Sequence, residues 1–265
     1  MSQSALVSNK RLKRKKFFRG VFLVFLFSCF LATGLIVGLF QMEKFKIKNI
    51  MIKGNHVLVE EDLRNEIKKS LSSKSFNIIP KNRIFYFSKE NLTANLFLGF
   101  SRLKNVIVER EYPDSLIVFV EERKPVAVLC NEDGGFFVDE NGLVFESSAL
   151  FSPGVFLRII DDRESKLAVG QFLLDSNLFK ELIIFKKRLD QVSEIEELRF
   201  KKDGVFEFHT KKDNGESGWY LVVTQENDLD LIYNNFASFF EEIAKDQSQD
   251  LEYVDMRFGN KIFFK

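Results

Sequence analysis

A run of twenty residues without a charged side chain, from residue 21 to residue 40, constrains this chain more than any other feature of its sequence. As a helix, such a run rises about 30 Å, which matches the hydrocarbon core of a bilayer. Residues 1–20 contain seven Lys or Arg and no Asp or Glu, and cations beside a span mark its cytoplasmic side. We therefore predict a basic cytoplasmic tail, a transmembrane helix over residues 21–42 whose apolar part runs from Val21 to Phe40, and an exported remainder.

A cleaved signal peptide is the alternative to an anchor. The apolar region of a signal peptide is about 7–15 residues long and ends at a small-x-small site, and residues 34–40 offer no such site. The tail either contacts anionic headgroups or serves only to set the topology. Beyond the span, acidic residues outnumber basic ones, which disfavours nucleic acid as a partner. Cys29 in the span and Cys130 outside it cannot pair with each other.

The first exported part, residues 45–122, predicts a compact α+β unit in the order strand, helix, helix, strand, strand. Residues 45–52 alternate like a strand, with a bulge at 48–49. One amphipathic helix has apolar residues at every fourth position, and a second begins after a Ser88 cap. Their apolar positions are Val59, Leu63, Ile67 and Leu71 in the first helix and Leu92, Leu96, Phe97 and Phe100 in the second. Strands at 105–109 and 116–121 flank a proline turn.

The second exported part, from residue 124 on, predicts short strands with two amphipathic helices among them. The strands are expected at 126–130, 135–138, 143–145, 195–200, 205–209, 219–223, 251–257 and 261–264. One helix has apolar residues at Leu178, Leu182, Phe185 and Leu189, and the other at Leu229, Ile232, Tyr233, Phe236, Phe239, Phe240 and Ile243. The phenylalanine stripe of the second helix could line a cofactor or lipid site, but packing against a sheet is the favoured interpretation. The whole exported region is thus expected to be α+β.

The exported part contains few candidates for catalysis. His56 and His209 are the only histidines, and neither has a second His or Cys at ligand spacing, so no metal site is expected. Ser217 with His209 would make an anchored hydrolase, but Ser217 lies in a stretch typical of a hairpin loop. Walker and dinucleotide glycine patterns are absent from the sequence. We therefore predict a non-enzymatic scaffold or adaptor without a cofactor or small-molecule substrate.

Four stretches of sequence resemble one known family. VEREYPDSLIV at 108–118 and ERKPVA at 122–127 are similar to the junction between the POTRA and β domains of the FtsQ/DivIB cell-division proteins. VDENGLVF at 138–145 and YVDMRFGNKI at 253–262 resemble parts of the same β domain. The basic tail and single anchor complete the layout. The resemblance implies a POTRA domain (β-α-α-β-β) at 43–123, and a β domain with a mixed or antiparallel sheet and two packed helices at 124–265.

The resemblance also implies a function. Family members are divisome components of the bacterial cytoplasmic membrane that recruit FtsB- and FtsL-type bitopic proteins and help regulate septal peptidoglycan synthesis. Their partner site is the exposed edge of the last strand, where a partner can add a strand. The corresponding residues here are Arg257, Phe258, Gly259, Asn260, Lys261, Ile262 and Phe263. A last strand with no tail after it can leave its edge uncovered, although Phe258 and Phe263 could equally be plain core residues.

The POTRA-like unit is expected, by the same resemblance, to contact other divisome members, including the septal peptidoglycan synthase. The residues expected on this surface are Phe45, Ile47, Ile50 and Ile52. Within the span, Gly34 and Gly38 form a small-xxx-small pattern that permits close helix packing. The alternative function is a POTRA component of an envelope export or assembly system, which would normally show tandem units or a β-barrel.

Overall fold

The computed structural model describes residues 3–40, 42–72, 74–75, 79–80, 82–131, 134–148, 155–163, 167–211, 217–244, 251–259 and 261–265. Their contacts divide the chain into two compact units. The first unit comprises Met1–Gly99 and Asn105–Glu121, and the second comprises Phe100–Lys104 and Glu122–Lys265. The second unit therefore takes in a short stretch, Phe100–Lys104, that interrupts the first unit along the chain.

The N-terminal helix α1, Gln3–Phe40, contains the predicted span. Within it, Phe17–Leu35 is long and apolar enough to cross a membrane, and none of this window is buried inside the protein. Val21 lies in this window, whereas Phe40 is the last residue of the helix and its side chain lies outside the described ones. The window starts before Val21 because Phe17 and Phe18 extend the apolar surface past the single charge of Arg19.

The first unit follows the predicted order of elements, with one addition. Its elements are β1 Asn49–Lys53, α2 Glu60–Ser72, β2 Lys74–Ser75, β3 Ile79–Pro80, α3 Lys89–Gly99, β4 Leu103–Glu111 and β5 Ser115–Glu122. The small hairpin of β2 and β3 was not expected. The main sheet has the order β1-β5-β4, with β1 parallel to β5. The two strands begin at the same level, Asn49 opposite Ser115, and β5 extends past the end of β1 at Lys53.

Three details of the first unit differ from expectation. Strand β1 begins at Asn49 instead of Phe45, because Glu43–Phe45 form a 3-10 turn. The predicted bulge at 48–49 is not seen within the strand, because Lys48 precedes β1 and the pairing of β1 with β5 has no register shift. The amides of Lys48 and Asn49 both donate to the carbonyl oxygen of Asp114, at 2.8 and 3.4 Å. Val59 was predicted to be a core residue of the first amphipathic helix, but it precedes α2 and is 59% exposed.

The helices of the first unit otherwise bury the predicted apolar positions. Leu63, Ile67 and Leu71 of α2 are buried, and so are Leu92 and Leu96 of α3. These are the positions at which each helix faces inward, since residues three or four apart lie on one face. Ser88 caps α3 as predicted, through a hydrogen bond from the Asn91 amide to its hydroxyl at 3.1 Å. Phe97 was predicted to lie on the buried face of this helix, but it is 39% exposed, so that assignment was wrong.

The second unit is built on one mixed sheet of nine strands in the order β14-β13-β12-β11-β10-β9-β6-β7-β8. The strands are β6 Ala127–Asn131, β7 Gly134–Val138, β8 Val144–Ser148, β9 Leu157–Asp161, β10 Ile195–Phe200, β11 Val205–Lys211, β12 Ser217–Thr224, β13 Tyr253–Asp255 and β14 Phe263–Phe264. Strand β9 was not predicted, yet it joins the two halves of the sheet by parallel pairing with both β6 and β10.

Two helices of the second unit supply much of its core. Helix α4, Ser176–Leu189, follows an Asp175 cap, and α5, Leu229–Phe239, follows an Asp228 cap. Phe179, not the predicted Leu178, is buried in α4 beside Leu182, Phe185 and Leu189. In α5, Phe236 is fully buried and its ring lies 5.6 Å from that of Trp219. The phenylalanine stripe is thus core packing, as favoured from the sequence.

Candidate functional site

Strand β14 forms one outer edge of the nine-stranded sheet. It pairs antiparallel with β13, with Phe264 opposite Val254 and Phe263 opposite Asp255. Lys265 and Tyr253 exchange two backbone hydrogen bonds, both of 3.3 Å. In an antiparallel pair such residues alternate with residues whose backbone groups point the other way. The N–H and C=O of Phe264 therefore point away from β13, and within the described part of the chain no strand pairs with this outer side.

Most of the residues predicted for the last strand lie in the turn before it. Only Phe263 belongs to β14, and the strand also contains Phe264, which the prediction did not include. Gly259 has a φ of +67°, a left-handed conformation that suits the reversal of the chain. Of the predicted residues, five lie in the connection between β13 and β14: Arg257, Phe258, Gly259, Lys261 and Ile262. Asn260 lies outside the described residues. The strand is short because this reversal takes up most of the available sequence.

An ion pair organises the start of this turn. The amide of Arg257 donates to Oδ1 of Asp255 at 3.1 Å, and its Nη2 donates to Oδ2 at 2.6 Å. Burial acts to raise the pKa of Asp255, but the hydrogen bonds from Arg257 outweigh burial and hold this pKa below its ordinary value. Asp255 is therefore a carboxylate at neutral pH, and it ties the turn to β13.

Exposed aromatic rings surround the same turn. Phe258, Phe263 and Phe264 are 56%, 50% and 47% exposed, respectively. The Arg257 guanidinium lies 5.2 Å from the Phe258 ring centre, and the Phe258 ring meets that of Phe263 edge-on at 5.7 Å. The interpretation of Phe258 and Phe263 as plain core residues is therefore wrong. Ile262 differs from them, because it is half-buried against the core of the second unit.

The surface predicted for the first unit is only partly exposed. Ile50 is 7% exposed and belongs to the core, so its assignment to a partner surface was wrong; even-numbered residues of β1 face the helices. Phe45, Ile47 and Ile52 are half-buried. The opposite face of the sheet exposes three apolar side chains that the sequence reasoning missed: Met51 at 39%, Ile107 at 51% and Phe119 at 36%. The period of two along each strand could have identified them.

His209 has structural contacts that account for its position. Its ring stacks on Tyr220 at 4.8 Å, and its Nε2 lies 3.1 Å from Oε2 of Glu207. Burial lowers the pKa of His209 despite the opposing effect of Glu207, which favours a neutral imidazole at neutral pH. The backbone of Ser217 lies opposite Lys211, but the side chain of Ser217 is outside the described ones. Among described residues, no group of three or more His, Cys, Asp or Glu is arranged to hold a metal ion.

Comparisons with known proteins agree with this architecture. Residues 45–123 match the family model for an FtsQ-type POTRA domain. The cell division protein DivIB of Clostridium tetani is 21% identical over 244 residues, which cover 90% of this chain and 86% of the relative. DivIB of Clostridium acetobutylicum is 24% identical over 62% of this chain, and DivIB of Clostridium botulinum (strain Hall) is 25% identical over 55% of it. The chain spans 59% of the length of the C. acetobutylicum protein and 53% of the length of the C. botulinum protein.

These similarities, together with the folded units, identify the general role of the protein. Among the described residues, an FtsQ-type POTRA domain lies after one apolar N-terminal helix, and the similarity to DivIB of Clostridium tetani covers 90% of the chain. Such a protein takes part in the divisome in association with the membrane. The chain therefore contains an FtsQ-type POTRA domain and is similar over 90% of its length to a DivIB cell-division protein.

Proposed function

We propose that this chain is a non-enzymatic divisome scaffold that recruits FtsB- and FtsL-type bitopic proteins by adding a partner strand to the outer edge of β14. Through these partners it helps regulate septal peptidoglycan synthesis. The observation that carries the proposal is the outward direction of the Phe264 N–H and C=O on an outermost strand. Open backbone groups of this kind are the binding surface in β-augmentation.

The exposed rings add side-chain contacts to the backbone pairing. Phe263 and Phe264 are neighbours in a strand, so their side chains lie on opposite faces of the sheet. The Phe264 ring contacts Phe239 of α5 at 5.0 Å, whereas the Phe263 ring contacts Phe258 in the turn. A partner strand laid along β14 would therefore meet an aromatic side chain above the sheet and another below it. Aromatic side chains of this size contribute strongly to interface energies.

The short length of β14 limits the affinity of this edge. Each net backbone hydrogen bond contributes only about 0.5–1.5 kcal/mol, and a two-residue strand offers few of them. Confinement of the scaffold and its bitopic partners to one membrane raises their effective concentration. We propose that α1 is that anchor, in the cytoplasmic membrane at the septum, with the basic tail inside the cell and the two units outside it. The seven cations of the tail support this orientation.

The first unit supplies a second contact surface in this proposal. Other divisome members, including the septal synthase, would contact the face of its sheet that carries Met51, Ile107 and Phe119. These side chains are exposed, and Lys53 lies with its Nζ 5.6 Å from the Phe119 ring centre. An apolar group beside a few polar residues is typical of a surface that binds another protein.

A matched pair of substitutions tests strand addition at β14. Phe264→Pro and Phe264→Ala both remove the ring, but only proline also removes the outward N–H. We expect Phe264→Pro to bind an FtsB-type segment at least about fivefold more weakly than Phe264→Ala, since one hydrogen bond contributes about 1 kcal/mol. The full chain in detergent would be titrated with the labelled segment. Trp219, which is buried in the same unit, would report on folding through its fluorescence.

Equal binding by folded Phe264→Pro and Phe264→Ala proteins would refute strand addition at this edge. Ile262→Pro is a less informative variant, because Ile262 also packs against the core and its loss would disturb the fold. Photocrosslinking from positions 257, 258, 263 and 264 to the partner would locate the contact independently. Crosslinks from position 264 are expected to be the strongest, because its backbone groups point outward.

A further inference from the structure

One end of the sheet in the first unit lies close to the membrane helix along the chain. Helix α1 ends at Phe40, and β1 begins at Asn49. A fully extended chain spans at most about 3.6 Å per residue, so Lys44 lies within about 15 Å of the helix end and Lys48 within about 30 Å. The headgroup layer itself is about 5–8 Å thick on each side of the bilayer. This end of the sheet is therefore within reach of the membrane surface.

Three segments of the first unit meet at this end. The amide of Ile47 donates to the carbonyl oxygen of Asn82 at 2.9 Å, and the amide of Ile84 donates to that of Phe45 at 3.0 Å. The amide of Lys48 donates to Asp114 in the turn between β4 and β5. Arg83 adds a side-chain link, since its Nη1 donates to the carbonyl oxygen of Met42 at 2.8 Å. These bonds hold the segment after the membrane helix firmly on the folded unit.

Lysines and aromatic rings are concentrated at the same end. Lys44, Lys46 and Lys48, the lysine row, are all exposed, while Phe45 and Ile47 between them are half-buried. Phe45, Phe85 and Tyr112 form an aromatic trio. The Phe85 ring meets the Phe45 ring edge-on at 5.1 Å and stacks on the Tyr112 ring at 5.4 Å. Tyr112 is the outermost member, at 59% exposed.

We propose that the lysine row and Tyr112 form a docking surface for phospholipid headgroups, so that the first unit rests on the outer face of the membrane that α1 spans. Tyrosine is favoured at the bilayer interface because its ring is apolar and its hydroxyl is polar. Lysine can extend its ammonium group to anionic headgroups while its stem stays on apolar surface. The proposal rests on the proposed orientation of the anchor, with the folded units outside the cell.

The charge of this surface favours anionic lipid, although acidic residues moderate it. Glu43 is paired with Arg83 at 3.3 Å, and Glu111 and Asp114 lie near Tyr112 in sequence. The three lysines of the row therefore outnumber Glu111 and Asp114 by one. Each cation near an anionic surface raises the binding constant for that surface by roughly fivefold, and this effect falls off within about 10 Å at moderate salt. Attraction to anionic headgroups is therefore expected to be modest and to weaken as salt is added.

Quenching by a headgroup label tests the docking surface. The full chain is placed in nanodiscs of phosphatidylcholine and phosphatidylglycerol that contain a lipid with a nitroxide on its headgroup. Tyr112→Trp introduces a reporter that keeps an aromatic ring, and the parent chain with Trp219 alone gives the baseline. We expect the nitroxide to quench the introduced tryptophan well above this baseline. High salt and discs of pure phosphatidylcholine should both reduce the quenching.

Two triple variants of the reporter chain separate specific docking from simple tethering. Lys44→Ser/Lys46→Ser/Lys48→Ser removes three cations. It should lower the ratio of docked to undocked protein by at least about fivefold, which is the effect expected from the loss of a single cation near the surface. Lys68→Ser/Lys180→Ser/Lys187→Ser removes the same charge from exposed positions in α2 and α4 and should leave quenching unchanged. Quenching at the baseline, or equal quenching in all three chains, would overturn the proposal, as would equal quenching with and without phosphatidylglycerol.

A binding assay distinguishes this proposal from the proposed scaffold function. Each variant in the same nanodiscs is titrated with the FtsB-type segment. Quenching at the baseline in the Tyr112→Trp chain, together with normal partner binding, would refute headgroup docking alone. Quenching well above the baseline in that chain, together with no partner binding, would refute the scaffold function alone.

Discussion

Replacement of Asp255 tests whether the turn before β14 positions the binding edge. In Asp255→Ala, Arg257 loses the acceptor of its amide, Nε and Nη2 hydrogen bonds. The Asp255 side chain is 11% exposed and that of Arg257 is 36% exposed, so solvent screens part of this interaction. We expect the free energy of unfolding to fall by about 1–2 kcal/mol, from one lost amide hydrogen bond and a discounted ion pair.

Asp255→Asn provides the matched comparison. It keeps an oxygen that can accept from the Arg257 amide but removes the charge, so the expected loss is about half as large, roughly 0.5–1 kcal/mol. Urea unfolding of the full chain in mild detergent, followed by Trp219 fluorescence, would measure both variants. Trp219 is the single tryptophan and lies in the core of the same unit, which makes it a suitable reporter.

The same ion pair predicts a pH dependence. The pKa of Asp255 in the folded protein is below its ordinary value, so the folded state favours the carboxylate. This contribution to stability is complete above the unfolded pKa of about 3.9 and is lost as the pH falls through the lower folded pKa. Asp255→Asn should remove this part of the acid sensitivity and leave the rest. An unchanged acid profile in the variant would show that the pair does not stabilise the fold.

Partner affinity is the functional measurement for the turn. If Asp255 holds Arg257 and Phe258 in place beside β14, Asp255→Ala should weaken binding of an FtsB-type segment by up to about tenfold, or 1.4 kcal/mol. Wild-type affinity in a variant whose stability has fallen would refute the idea that this turn positions the edge. Calorimetric titration at neutral pH, where Asp255 is ionised, is the appropriate assay.

Two further predictions concern the core and the absence of catalysis. Phe236→Ala removes a fully buried ring beside Trp219 and should lower the free energy of unfolding by about 3–5 kcal/mol, measured by urea unfolding; a loss below about 1 kcal/mol would contradict its role in the core. His209→Ala/Ser217→Ala should support normal septation in cells depleted of the wild-type protein, because His209 is engaged with Glu207 and Tyr220. Filamentous cells containing a folded, membrane-inserted double variant would revive the hydrolase alternative.

Several elements could be predicted from the sequence because their signals are local. The amphipathic period of α2 placed Leu63, Ile67 and Leu71 in the core, and Ser88 marked the start of α3. The uncharged run within α1 predicted a membrane span without reference to any other part of the chain. In each case neighbouring residues create the stabilising interaction, so their order along the chain carries enough information.

The tertiary structure alone decided the form of the binding edge and of the sheet. The run VFLRII at 155–160 is rich in residues favoured in strands, but only the pairing of Leu157–Asp161 with both β6 and β10 makes it the strand that joins the two halves of the sheet. Residues 257–262 alternate plausibly, but the reversal at Gly259 confines β14 to Phe263 and Phe264. Which backbone groups point outward depends on pairing with β13, a contact between residues distant along the chain. The sequence by itself therefore determined the apolar N-terminal helix, the amphipathic helices and the resemblance to FtsQ/DivIB proteins, whereas the position and direction of the open edge required long-range strand pairing.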